Sequence, residues 1–305
     1  MKAVRFHAYG DPSVLRLEDV PDPSPGPDEV LLDVHAAGVN PLDWKIRSGA
    51  LAQGMPLPLP FVLGWDVSGT VAAVGESVSG LEVGDPVFGM IPIGAPGAYA
   101  DYATAPANAM AKAQTDLPAE VLAAIPVVGL AAWQLIHEVG ALAPGERVAV
   151  IGAGGQVGRL SIALAGQIDG TEVMAIGRRA DLEAAGFSQQ TRKIASDGDD
   201  WTAPIADADL IIDLVGGPLQ TAALAAVKPG ARLVSRAQPP DPAGRDVTVS
   251  MLQVHPDRSA LERLEAGIAS GELPRPVVET FPLASAAEAH AAGEAGANAK
   301  LVLMT

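Results

Sequence analysis

The chain has 305 residues, 49% of them hydrophobic and 18% charged, so two domains with a substantial core are expected and bulk disorder is excluded. A formal net charge of −16 argues against a phosphate backbone or an anionic membrane as partner. The absence of cysteine removes disulfides, iron–sulfur clusters, thiolate nucleophiles and cysteine-ligated zinc, and it suits a reducing, cytoplasmic compartment.

In chain order, "MKAVRF" moves directly into strand-like alternation instead of a signal peptide. The stretch up to residue 117 is dense in Pro, Gly and β-branched residues. "KAVRF", "VLRLEDV", "EVLLDVHAAG", "DVSGTVAAVG", "PVFGM" and "YADYATA" each read as a strand bounded by turn residues. They predict an irregular, mostly antiparallel β domain. "PAEVLAAIPVVGLAAWQLIHEVG" has helical spacing interrupted at Pro126. Its longest apolar run, Val121 to Trp133, falls short of the roughly 20 residues of a membrane span. After it, apolar strands alternate with Ala-rich helices, the pattern of a parallel sheet with right-handed crossovers. "DVTVSMLQV" supplies a last strand and "PDRSALERLEAGIASG" a last helix. The tail, "PVVETF", "SAAEAHAAGEAG" and "KLVLM", is expected to rejoin the first domain. The expected fold class is thus α/β, with the domains at 1–117 plus 272–305 and at 118–271.

The most informative segment is "RVAVIGAGGQVGRLSIALAG". A strand of bulky aliphatics runs into a glycine turn whose register is Gly152-x-x-Gly155-x-x-Gly158, and a helix follows. Glycines there permit a tight turn and leave the backbone open to a pyrophosphate. The helix start, with Gln156 and Val157, directs N–H groups and the positive end of the helix dipole at that anion. No Gly-Lys-Ser/Thr follows, which excludes a phosphate loop of the nucleotide-hydrolase kind. The next strand ends in Arg178 and Arg179, and Arg178 lies 20 positions beyond Gly158. An NAD site carries an acidic residue there; two guanidiniums suit a 2′-phosphate, so NADPH is the expected cofactor.

The segment "AAGVNPLDWKIRSG" ends a strand in a knot of polar groups, Asn40, Asp43, Lys45 and Arg47, with Trp44 among them. Asn40 before Pro41 is a natural helix cap and Asp43 suits a first turn. The same groups could instead line a cleft.

Together with "GWDVSGTVAAVGESVSGLEVGDPVFG", "GAYADYATAP", "GLAAWQLI", "DLIIDLVGG", "VKPGARLVS" and "AHAAGEAGANAKLVLM", these segments resemble the medium-chain dehydrogenase/reductase superfamily. Within it they are similar to the zinc-independent quinone and enone reductase branch. The resemblance runs almost end to end. It implies a GroES-like catalytic domain built from both chain ends, with a Rossmann domain inserted between them, and by family habit a homodimer. Metal-dependent alcohol dehydrogenases of the superfamily have a cysteine where this chain has Asn40. Their Gly-His-Glu motif is here Gly64-Trp65-Asp66. One remaining carboxylate does not hold zinc, which takes three or four ligands, and no metal is expected.

The function expected on this basis is hydride transfer from NADPH to a quinone or to the C=C bond of an α,β-unsaturated carbonyl. Without a Lewis acid, the developing negative charge needs hydrogen-bond donors. Asn40 and Lys45 are the candidates, with Asp43 placed to orient one of them. Trp44 and Trp65 are candidate substrate-pocket residues. Arg47 and Ser48 read as structural or as contacts to phosphate or substrate. Gly216 and Gly217 end the fourth Rossmann strand and Ser235 the fifth, where loops border a cofactor. Ala131 stands where the family's "GLTAW" carries a hydroxyl, so the resemblance implies one weakened cofactor contact without loss of the site. The proton donor is unassigned among Lys45, solvent and a cofactor ribose hydroxyl. The alternatives are an enoyl-thioester reductase of a biosynthetic pathway and a non-catalytic NADPH-binding redox sensor.

Overall fold

The alternating runs near the amino end form strands in the computed structural model, which describes residues 1–198 and 200–305. Strands β1 (Lys2–Phe6), β2 (Arg16–Asp19) and the long β3 (Glu29–Gly38) lead into the short helix α1 (Pro41–Arg47). There follow β4 (Phe61–Val62), β5 (Asp66–Val74), β6 (Pro86–Met90), β7 (Tyr102–Pro106) and β8 (Met110–Lys112). Helices α2 (Ala119–Leu122) and α3 (Pro126–Trp133) are separated at Pro126, and α3 continues into a π-helical turn, Gln134–Glu138. Next come β9 (Arg147–Ile151), α4 (Gln156–Ala165), β10 (Glu172–Gly177), α5 (Arg179–Ala184) and β11 (Arg192–Ala195). They are succeeded by β12 (Leu210–Asp213), α6 (Gly217–Ala226), β13 (Ala231–Ser235) and β14 (Val247–Met251). The chain closes with α7 (Arg258–Ser270), β15 (Val278–Pro282), α8 (Ala286–Glu294) and β16 (Lys300–Met304).

The chain divides into two units, Met1–Leu130 with His255–Thr305, and Ala131–Val254. In the first, β16 pairs antiparallel with β3, so the carboxyl-terminal tail completes the sheet begun by the amino-terminal strands. That sheet has the order β15-β16-β3-β5-β6-β8, with β7 also on β3. All its pairs are antiparallel except β15 on β16. Its core contains Phe6, Leu32, Ile46, Leu63, Trp65 and Tyr99.

The second unit is a six-stranded sheet ordered β11-β10-β9-β12-β13-β14, parallel throughout. Numbered from β9, this is the doubly wound order 3-2-1-4-5-6, whose strand direction reverses its walk at β9 and places ligand chemistry at the carboxyl ends of the strands. Strands such as β9 and β12 are buried on both faces, which is why their sequences are unbroken aliphatic runs.

This division into compact units falls at 130/131 and 254/255, where the sequence led us to expect domain limits at 117/118 and 271/272. Apolar burial and capping explain the difference. Ala123 and Ala124 of the α2 end pack with Ala36 and Val302 of the first unit. From α7, Glu265 accepts the Gln114 and Thr115 N–H groups, and Arg258 donates to the Met110 carbonyl at 2.7 Å. The helical turns Ala119–Glu138 make a 20-residue stretch long and apolar enough to cross a membrane, more than the Val121–Trp133 run alone. Of its most apolar window, 78% is buried inside the protein, as in a core helix.

Candidate functional site

Two places carry the polar chemistry, one in each unit. In the second unit β9 ends at Ile151, and Gly152 turns the chain with φ +87°, a conformation that favours glycine. The Gly152 and Ala153 N–H groups both donate to the Ile176 carbonyl, at 2.9 and 3.0 Å, which ties the turn to β10. Gly158 lets α4 pack onto the strand: a Cβ there would lie 2.4 Å from the Gly152 carbonyl oxygen and 2.8 Å from the Ala153 Cα. Gly155 is the cap of α4 and has no side chain to close the helix end. A Cβ at Gly155 would meet nothing closer than 3.5 Å. The turn is therefore tight behind and open in front, with the first-turn N–H groups around Gln156 and Val157 at the helix end. That shape fits a dinucleotide diphosphate.

Arg178 follows the end of β10 and Arg179 begins α5, both exposed. Arg178 makes a two-point pair with Asp181, Nε to Oδ2 at 2.6 Å and Nη2 to Oδ1 at 3.1 Å. The fit to a 2′-phosphate is thus two cations beside the glycine turn, one of them already shared with a carboxylate.

At the carboxyl ends of β12 and β13, Asp213 is fully buried and saturated. Oδ1 accepts the Gly216 N–H at 2.9 Å, and Oδ2 accepts Ser235 Oγ–H at 2.8 Å and Gln220 Nε2–H at 2.7 Å. Gly216 has φ +76° and closes on Gln238. The Ser235 hydroxyl faces inward, donating to Asp213 and accepting the Ala237 and Gln238 N–H groups at 3.2 and 3.3 Å. Asp213 had no signal beyond its place at the strand end.

In the first unit the polar knot is a helix cap and a buried network. Asp43 Oδ2 accepts the Asn40 N–H at 2.6 Å and Oδ1 accepts the Gly64 N–H at 3.0 Å. Asn40 Nδ2 donates to Asp66 Oδ2 at 2.9 Å, while Asn40 Oδ1 accepts from Lys300 Nζ at 2.6 Å. Lys300 also donates to Asp66 Oδ2 at 2.7 Å, and Asp66 Oδ1 accepts the Val127 N–H at 2.6 Å. All four side chains are buried. Asp43 orients the Asn40 backbone rather than the Lys45 side chain, which is exposed on α1. Burial pushes the Asp43 carboxyl up to about 7, against the pull of its two N–H donors and Lys300. Burial likewise raises the Tyr99 phenol well above its ordinary value.

Trp65, expected in a substrate pocket, is 1% exposed and packs in the core, its Nε1 donating to the Ala95 carbonyl at 3.3 Å. Trp44 is half-buried, edge-on to His290 and packed over Gly293. Arg47 is 1% exposed and pairs with Glu294. Its Nε and Nη1, and His290 Nδ1, are buried without a partner among the described residues. Burial first, and Arg47 second, hold His290 down to about 3, so the ring is neutral. Among the described residues no group of three His, Cys, Asp or Glu side chains is placed to hold a metal. Sequence reasoning assigned no role to Lys300 or His290, although both lie in "AHAAGEAGANAKLVLM", which entered only as part of the resemblance.

Comparisons with known proteins agree with this architecture. A family model described as "Alcohol dehydrogenase GroES-like domain" matches residues 26–115, and one described as "Zinc-binding dehydrogenase" matches residues 189–303. The human protein named quinone oxidoreductase is 30% identical over 325 aligned positions, covering 100% of this chain and 98% of that protein. The solved quinone oxidoreductase of Coxiella burnetii superposes with a TM-score of 0.90 at 29% identity, covering 100% of this chain and 99% of that one. A mycobacterial protein solved in complex with NADPH superposes at 0.85, also 29% identical and with full coverage of both chains. The chain therefore belongs to the medium-chain dehydrogenase/reductase superfamily, within its quinone oxidoreductase family.

Proposed function

We propose that this chain is a metal-free, NADPH-dependent reductase of quinones and of the C=C bonds of α,β-unsaturated carbonyls. The observation that carries the cofactor reading is the pair Arg178–Arg179 at the end of β10, the strand that hydrogen-bonds the glycine turn. The α4 N-terminus takes the diphosphate and the arginines the 2′-phosphate. Bound there, the reduced nicotinamide supplies the hydride that reaches the substrate carbon. The substrate reading leans on the full-length likeness to the human and Coxiella burnetii quinone oxidoreductases.

The residues of the first unit supply what a metal would otherwise do. Asn40 keeps a second Nδ2–H beyond the one given to Asp66, and its carbonyl is fixed by Lys300. Lys45, five positions on, carries an exposed ammonium. These are the donors that steady negative charge growing on a carbonyl oxygen. The metal-free reading rests on donor chemistry. Asn40 and Trp65 are poor zinc ligands, and both Asp66 oxygens are already committed to Lys300, Asn40 and Val127.

The test mixes purified protein and NADPH with a panel of quinones, enones and enoyl thioesters and follows loss of the reduced-nicotinamide absorbance. Turnover on quinones or enones, undiminished after chelation, is the expected result. Turnover on enoyl thioesters alone would reassign the substrate. NADPH binding with silence across the panel would make the protein a sensor.

A further inference from the structure

We propose that Asp181 sets how strongly this chain prefers a 2′-phosphorylated dinucleotide over its 2′-hydroxyl counterpart, an inference that rests on the NADPH reading above. Asp181 occupies one bidentate edge of the Arg178 guanidinium, the Nε–Nη2 fork that suits a phosphate, at 2.6 and 3.1 Å. Its carboxylate is the anchored partner of the pair: the Asp181 side chain is 33% exposed, that of Arg178 77%. The Asp181 backbone is held within α5, its carbonyl accepting the Ala185 N–H at 3.0 Å. Its Cβ lies so close to the glycine turn that a Cβ on Gly154 would come within 2.6 Å of it. The long Arg178 side chain has a wide arc to swing through, whereas the short Asp181 side chain keeps its carboxylate within reach of the glycine turn.

Two consequences follow for a ligand at the turn. A 2′-phosphate shares the Arg178 cation with this carboxylate, or displaces it from the Nε–Nη2 edge, and it feels that negative charge at close range. Asp197 adds a second acidic field on Arg178. A 2′-hydroxyl carries no charge to repel, and it can donate to a carboxylate. Asp181 therefore narrows the preference that Arg178 and Arg179 create. The chain combines an acidic acceptor of the NAD type with the cationic pair of the NADP type.

Titration calorimetry of wild-type protein and Asp181→Asn with NADPH and with NADH reads this directly. In low salt the variant's NADPH Kd is expected to tighten by about three- to tenfold, the size of one unit charge removed a few ångströms away in a water-exposed site. Its NADH Kd should stay the same or weaken, and the NADPH gain should fade as ionic strength rises. Asp181→Ser is expected to shift the ratio in the same direction, with an unchanged circular dichroism spectrum as the control for folding. An NADPH-to-NADH ratio that does not move, or that moves without salt dependence, overturns the proposal while the cofactor reading stands. Failure of wild-type protein to bind either dinucleotide overturns the cofactor reading and this proposal with it.

Discussion

Lys300 reaches Asp66 and Asn40 from the last strand, and these three buried side chains satisfy one another across 260 residues of sequence. Removing the cation leaves a carboxylate with no charge partner in a dry site, which costs about 3–5 kcal/mol. Lys300→Met is expected to lose stability on that scale in urea unfolding. Adding Asp66→Asn should recover part of the loss, and strictly additive losses would contradict the network. The neighbouring Asp43 and His290 tie stability to pH with opposite signs. Asp43 titrates near 7 when folded against 3.8 ordinarily, so the folded state keeps a proton that the unfolded chain has lost, and stability falls as pH rises through that window. His290 is held near 3 against 6.5, so the unfolded chain takes a proton that the folded state refuses, and stability falls as pH drops from 6.5 toward 3. His290→Gln should therefore lose less unfolding free energy than wild type on acidification from pH 6.5; equal losses would remove His290 from the account. None of this was legible beforehand. Asn40 and Asp43 announce a helix cap, but "AKLVLM" reads as an ordinary strand, and no spacing rule pairs a lysine with an aspartate 234 residues away.

At the level of elements, β9, its turn and α4 form the segment where local pattern and three-dimensional role coincide. The glycines are demanded by backbone approach, a short-range matter, and short-range matters are written in the sequence. Gly158→Ala would press a Cβ against two backbone positions that no rotamer change can relieve. It is expected to cost about 1–3 kcal/mol, seen as a lowered melting temperature, and to weaken dinucleotide binding as well; a variant with unchanged melting would contradict the close approach. The buried aliphatic strands β12 and β13 were readable for the same reason. β11 was not: "RKIA" is four residues, two of them charged, and it is a strand only because β10 offers its edge. The inward side chains of Ser235 and Trp65 were not legible, because motif position says where a residue lies along an element, not which way its side chain faces.

For the whole molecule, the change of rhythm near Leu117 and the return of strands after Gly271 led us to expect two bodies; the chain divides into two compact units, and the tail strand β16 pairs with β3 of the first. The boundaries moved because helices α2 and α7 are assigned by what they bury and cap, and their partners lie far off in sequence. The charge of −16 sharpens the cofactor argument, since a chain so acidic repels a polyanionic dinucleotide unless cations are placed where it binds. Arg178 and Arg179 are those cations in this account. The most direct measurement is titration calorimetry of wild-type protein and the Arg178→Ala/Arg179→Ala variant with NADPH and NADH. The account predicts that wild type binds NADPH more tightly than NADH and that the double variant loses most of that advantage while still binding NADH. Wild-type protein indifferent to NADPH, or a variant that weakens both dinucleotides equally, would contradict it.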